Sequence, residues 1–191
     1  YLDRAQETLN GHRKIVVIGG GFIGVEFSDE LNKTGKEIVL VEKLPHILAL
    51  AFDEEISSHA ERLLVERGVR VVTGTGVKRI LGEKAVTGVE LESGEQIEAD
   101  AVVISVGYRP EVALAREAGL RINEQGFIAV DEYMRTDDPD VFAAGDCAEK
   151  RDFTTRKPVP IMLASTACAE ARTAGMNLFG LSSVKTFGGT L

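Results

Sequence analysis

Residues 14–31 read KIVVIGGGFIGVEFSDEL, and this stretch decides the fold. Lys14–Ile18 is a short, β-branched apolar run, the texture of a strand buried on both faces. Gly19, Gly21 and Gly24 then give G-x-G-x-x-G, with Phe22 and Ile23 between the last two glycines. From Phe22 onward Ile23, Phe27 and Leu31 recur at helical spacing, and Gly35 is a natural stop. Strand, glycine turn and helix in this order form the context in which the pattern has a physical meaning. Gly19 permits the tight turn, Gly21 lets a diphosphate approach the backbone, and Gly24 lets the helix pack close to the strand. The amides at the helix start, with the helix dipole behind them, suit an anion. A turn with no ligand is the competing reading of the same glycines.

The next element tests that reading. Glu37–Val41 (EIVLV) is a second buried strand, and Glu42 ends it. Glu42 lies 42 − 24 = 18 residues past the last glycine, close to the ~20 expected for the carboxylate that takes the ribose hydroxyls of a dinucleotide. A carboxylate there repels a 2′-phosphate, and Lys43, not an arginine, follows it. The spacing therefore favours NAD(H) over NADP(H), against the plainer reading of a solvated strand-end charge. Glu26, two residues after Gly24, complements the helix dipole or serves the same ligand.

Further along, Asp53 is placed to cap a helix over EEISSHAERLLVER, with Ile56, Ala60, Leu63, Leu64 and Arg67 on one face and Gly68 closing it. Val69–Thr73 reads as a third strand. Residues 77–99 change to short alternating runs separated by Gly82-Glu83 and Ser93-Gly94, an antiparallel meander. Asp100–Val106 returns to a parallel strand ending at Gly107. Beyond Pro110 the pattern predicts a helix at Val112–Ala118, strands at Phe127–Val130 and Val141–Ala144, and a helix from Ala164 to Leu178. The fold class is α/β: a Rossmann-like parallel sheet with helices on both faces and an antiparallel β-meander, plus a partial second α/β domain.

Composition narrows the partners. The 191 residues carry a net charge of −8, which argues against nucleic acid or an anionic membrane surface. No apolar run approaches the ~20 residues of a membrane helix, and no signal peptide is visible. Cys147 and Cys168 are too far apart for a metal cluster, and with three scattered histidines no metal site is expected. Few cysteines without a secretory signal fit a reducing cytoplasm. Both cysteines read as small buried residues, and His12, His46 and His59 as loop or surface residues. No Ser-His-Asp arrangement or G-x-S-x-G elbow is present. The chain opens on Tyr1, so we expect a piece of something longer.

Four ordered motifs, VVIGGGFIGVEF, VEK, DAVVISVGYRP and RTDDPDVFAAGDCAE, resemble the pyridine nucleotide–disulfide oxidoreductases. The closing AAGDC and the GYRP are similar to the branch of NADH oxidases, NADH peroxidases and coenzyme A disulfide reductases. The resemblance implies an NAD-binding domain over 12–109, the C-terminal half of an FAD-binding domain over 110–181, and the start of an interface domain over 182–191. It implies that Asp146, after Gly145, bonds the ribitol of FAD. The helix near Ala164 would point its N-terminus at the flavin, Glu26 would lie beside the nicotinamide, and Gly107 would give it room. It implies a homodimeric parent with small-molecule cofactors, NAD(H) and FAD, that transfers hydride from NADH to flavin and on to a disulfide, peroxide or oxygen. The family's first flavin-binding glycine motif and its reactive cysteine are not in this sequence, so no catalytic residue is expected in this chain. Purified chain should be colourless and inactive alone, and the apolar strand Val141–Ala144, with an open edge, should pair between chains. A non-catalytic NAD(H)-binding redox sensor, or a glycine turn that holds the ADP half of FAD, would share the first motif.

Overall fold

The computed structural model describes residues 2–180 and 186–190. The chain divides after Gly107 into two compact units. The first runs α1 (Leu2–Asn10), β1 (Lys14–Ile18), α2 (Phe22–Lys33), β2 (Glu37–Val41), α3 (Glu54–Glu66) and β3 (Arg70–Val72). It continues through β4 (Val77–Leu81), β5 (Gly88–Leu91) and β6 (Gln96–Glu98) to β7 (Ala101–Ile104). Strands β3, β2, β1 and β7 lie in that order in a parallel sheet, and β4, β5 and β6 form an antiparallel one. Central β1 pairs Val16 with Val39 on one side and Val102 on the other. Its Ile15, Val16 and Val17 are all buried, as a parallel strand requires of both faces.

The two faces are covered differently. Ile15, Val17, Ile38 and Leu40 pack with Leu64 of α3 and with Val25 and Leu31 of α2. On the opposite face Val16 and Val41 pack with Val89, Leu91, Ile97 and Ala99 of the meander. The meander thus stands where a doubly wound sheet has its second helical layer. Helix α1 was not anticipated; Leu9 packs on the core, and Lys36 Nζ donates to the Leu9 and His12 carbonyls at 2.8 Å each.

Helices α2 and α3 bury only part of the stripes that hydropathy predicts: Leu31, Ala60 and Leu64 pack on the core. In α2 the buried positions are Gly24 and Ser28, while Ile23 and Phe27 are 44% and 37% exposed. In α3 they are Ser57 and Leu64, while Ile56 and Leu63 are 50% and 41% exposed. Small residues win these positions because they let the helix approach the sheet. A polar residue, Glu61, is half-buried beside them because Ile47 N–H and His46 need an acceptor there, at 3.0 and 3.2 Å. Asp53 caps α3 as predicted, accepting from the Ile56 N–H at 3.0 Å.

The second unit holds α4 (Ala113–Glu117) and α5 (Ala164–Asn177), and Ala115 of α4 packs with Ile128, Ala143 and Ala148. The strands expected at 127–130 and 141–144 do not form. Ile128 makes single bridges to Ile122 and Ala148, and Phe142 one to Arg135. Their main-chain groups are divided among different segments, Ile128 N–H to Cys147 O and Ala143 N–H to Met134 O, so no ladder propagates. The expectation that an open strand edge at Val141–Ala144 pairs between chains loses its basis with that strand. Of the expected interface-domain start, residues 182–185 and 191 lie outside the described residues. Phe187 N–H donates to Glu132 O and Thr190 N–H to Arg151 O.

Candidate functional site

β1 ends at Ile18 and α2 begins at Phe22, so the whole turn is three glycines. Gly19 has φ +102°, and a Cβ on it would collide with the Ser105 carbonyl beside the end of β7. A Cβ on Gly24 would collide with the Gly19 carbonyl, so α2 lies directly against the turn. Gly21 differs from both: a Cβ there would meet nothing within 4 Å. It caps α2 with extended backbone and no side-chain hydrogen bond. The first bond of the helix runs from Val25 N–H to Gly21 O at 3.0 Å. The amides of Phe22, Ile23 and Gly24 therefore have no acceptor within the helix. Open space over Gly21, beside amides at the positive end of a helix, makes a cradle that an anion fits.

Gly20 is a residue that sequence reasoning passed over. Its N–H donates to Glu42 Oε2 at 2.5 Å and its carbonyl accepts from Leu48 N–H at 2.8 Å. A Cβ on it would lie 2.9 Å from Ile47 Cγ2 and 3.0 Å from Glu42 Cβ. The available signal was three consecutive glycines where the pattern asks for two. Glu42 is half-buried, just beyond β2, and its Oε1 accepts from Leu44 N–H at 2.7 Å. Two main-chain donors thus fix a carboxylate one residue from the cradle. A carboxylate has about four acceptor positions, so others are left for hydroxyl groups. Lys43 is turned to Glu92, 3.1 Å away, and Lys43 beside it holds the Glu92 carboxyl below its ordinary range.

The remaining sequence-predicted residues of this unit lie around the turn. Phe22 is exposed and meets Phe52 edge to face at 5.9 Å. Ile23 is exposed beside it. Glu26 is exposed on α2, and α2 has no acidic residue in its first turn, so the dipole account of Glu26 is weakened. Gly107 has φ +102°, two residues past the Ser105 that abuts Gly19.

Gly145 and Asp146 belong to the second unit. Gly145 has φ +86° and Asp146 is exposed. Two side chains not anticipated from sequence hold this turn. Glu170 Oε2, from α5, accepts the Gly145 N–H at 2.8 Å, and Lys150 Nζ donates to the Gly145 carbonyl at 2.6 Å. Lys150 Nζ lies 3.5 Å from Glu170 Oε1, and neither side chain is exposed. Burial pushes the Glu170 carboxyl above its ordinary range, against the Gly145 N–H and Lys150. A concavity lined by Phe153, Leu163, Ser165, Thr166 and Ala169 opens at the start of α5. Cys147 is half-buried, but Cys168 is exposed, which corrects its reading as a small buried residue. It faces outward because α5 buries Thr166, Glu170, Thr173 and Ala174 instead.

Among the described residues, no helix is long and apolar enough to cross a membrane and no group of three or more His, Cys, Asp or Glu could hold a metal. The family model for pyridine nucleotide-disulphide oxidoreductases matches residues 1–171. The chain is 39% identical over 149 residues to the nitric oxide reductase FlRd-NAD(+) reductase of Citrobacter koseri, 76% of this chain and 38% of that protein. Its fold matches reduced Bacillus anthracis CoADR-RHD with a TM-score of 0.91 and 33% identity, over 99% of this chain and 34% of that one. It also matches the water-forming NADH oxidase of Lactobacillus brevis bound to NADH, with a TM-score of 0.87 and 26% identity over 98% of this chain and 41% of that one. The chain spans less than half the length of these proteins. With a matched model over most of its length, and the glycine turn and strand-end carboxylate in place, this chain belongs to the pyridine nucleotide-disulphide oxidoreductase family.

Proposed function

We propose that this chain supplies the NAD(H) site and part of the FAD site of an oxidoreductase. The observation that carries this reading is the pairing of an open cradle at Gly21 with a carboxylate at Glu42 fixed by the Gly20 and Leu44 N–H groups. The Phe22, Ile23 and Gly24 amides hold the diphosphate, and Glu42 accepts from the adenosine ribose. Lys43, engaged by Glu92, is not directed to a 2′-phosphate, which supports NAD(H) over NADP(H). Glu26 and Gly107 flank the nicotinamide end. In the second unit the exposed Asp146 fits the ribitol of FAD, and the start of α5 suits the flavin ring. When bound, FAD accepts hydride from NADH and passes electrons to oxygen, a peroxide or a disulfide. No side chain here need act as nucleophile or base. A sensing module would need only the first unit; the buried support under Gly145–Asp146 favours the two-cofactor reading.

The test is titration of the chain with NADH and with NADPH. NADH should bind at least about tenfold more tightly, a difference of ~1.4 kcal/mol. Equal affinities would remove Glu42 from its role.

A further inference from the structure

The buried pair Lys150–Glu170 enters the reading above only as support under Gly145–Asp146, and its geometry is specific. The two side chains do more than face each other: one takes the N–H of Gly145 and the other its carbonyl, at 2.8 and 2.6 Å. Lys150 also donates to the Ala148 carbonyl at 3.3 Å. Two wholly buried charged side chains are costly, and well-packed apolar residues of similar volume often serve stability as well or better. Stability alone therefore does not account for a charged pair here. What apolar residues could not do is grip both the N–H and the carbonyl of one residue held in the left-handed conformation, φ +86°. Asp146, exposed, is the next residue in the chain.

We infer that Lys150 and Glu170 are positioning residues for Asp146: they lock the Gly145 peptide so that the Asp146 carboxylate is preset for a ribityl hydroxyl. This rests on the proposed flavin role of Asp146. Neither side chain touches the ligand; both act through the Gly145 backbone. Polarity is part of the device, because the N–H needs an acceptor and the carbonyl a donor.

The experiment replaces the pair by apolar residues, K150M/E170L, in the flavin-loaded protein that carries this chain, beside D146N and the triple variant. The thermal midpoint should fall only modestly: apolar residues offset the loss of the pair, but the Gly145 N–H and carbonyl lose their side-chain partners. Exchange of the Gly145 amide should speed up at least about tenfold. FAD should bind about tenfold or more weakly, and no more weakly still when D146N is added, since coupled residues are not additive. Wild-type FAD affinity in K150M/E170L overturns the inference, as does a loss that simply adds to that of D146N. If D146N itself binds FAD normally, the flavin reading fails and this inference with it. Faster exchange at Gly145 in that case marks the fault as the ligand assignment and not the grip. Should K150M/E170L not fold, K150M/E170Q keeps an acceptor for the Gly145 N–H and removes the donor to the Gly145 and Ala148 carbonyls. Weaker FAD binding by that variant supports the inference and unchanged binding overturns it.

Discussion

A single methyl group separates the roles of neighbouring glycines. Gly19 combines φ +102° with a blocked Cβ position, so Gly19→Ala should destabilise the chain by roughly 2–4 kcal/mol, read from a urea midpoint. Gly21 has φ −72° and open space around it. Gly21→Ala should leave stability unchanged or raise it by about 0.4–1 kcal/mol, yet weaken NADH binding, because the new Cβ fills the cradle. A variant that keeps wild-type affinity would place the diphosphate elsewhere. At Glu42, substitution by Arg removes the acceptor for both main-chain donors and brings a cation to the ribose. Glu42→Arg should narrow or invert the NADH-over-NADPH preference, measured by calorimetry; an unchanged ratio would count against the contact. Gly19, Gly21, Gly24 and Glu42 were legible because the chemistry demands one residue type at a fixed spacing. Gly20, Lys150 and Glu170 were not. Their partners lie up to 48 − 20 = 28 residues away along the chain, and no local pattern encodes such meetings.

At the level of elements, hydropathy located α2 to α5 but not α1, and it placed part of the buried faces of α2 and α3: Leu31, Ala60 and Leu64 pack on the core, while Ile23 and Leu63 are exposed. It gives no weight to Gly24, Ser28 or Ser57, the residues small enough to be covered. Adjacent leucines on α3 make the difference measurable. Leu64 is buried in the core against β1 and β2, and Leu63 is 41% exposed. Leu64→Ala should cost about 2–5 kcal/mol and Leu63→Ala under about 1 kcal/mol in denaturant unfolding. Equal losses would return the face to its hydropathy-based orientation. The strands of the parallel sheet were legible because each carries a continuous apolar run and finds a parallel neighbour within the chain. Residues 127–130 and 141–144 carry similar runs, but a strand also needs a ladder partner, and here each finds only isolated bridges.

Over the whole molecule, the two units differ in how their carboxylates are held, and acid should separate them. In the first unit Asp29 bonds Lys33 and Arg67, and Glu90 bonds Lys78 and Arg79. These cations hold both carboxyls below their ordinary values of 3.8 and 4.5. The side chains are only 19% and 10% exposed, so these pairs are screened less than the open ones at Glu92 and Glu98. A carboxyl lowered by folding contributes stability that is complete above its ordinary value and is lost as pH falls through the lowered one. Glu170 in the second unit has the opposite sign. Burial raises it, so its ionised form costs stability near neutrality, and protonation relieves that cost as pH falls. The protonated acid leaves Lys150 still held by the Gly145 and Ala148 carbonyls. Asp152, lowered by the Thr155 N–H and hydroxyl and the Thr154 N–H, is the second unit's counterweight. Hydrogen exchange followed from about pH 6 to about pH 3, corrected for intrinsic rates, should therefore show α2 and β4–β5 losing protection at a higher pH than α5. Loss of protection in α5 first would mean that the Lys150–Glu170 pair, and not Asp29 and Glu90 of the first unit, governs the response to acid.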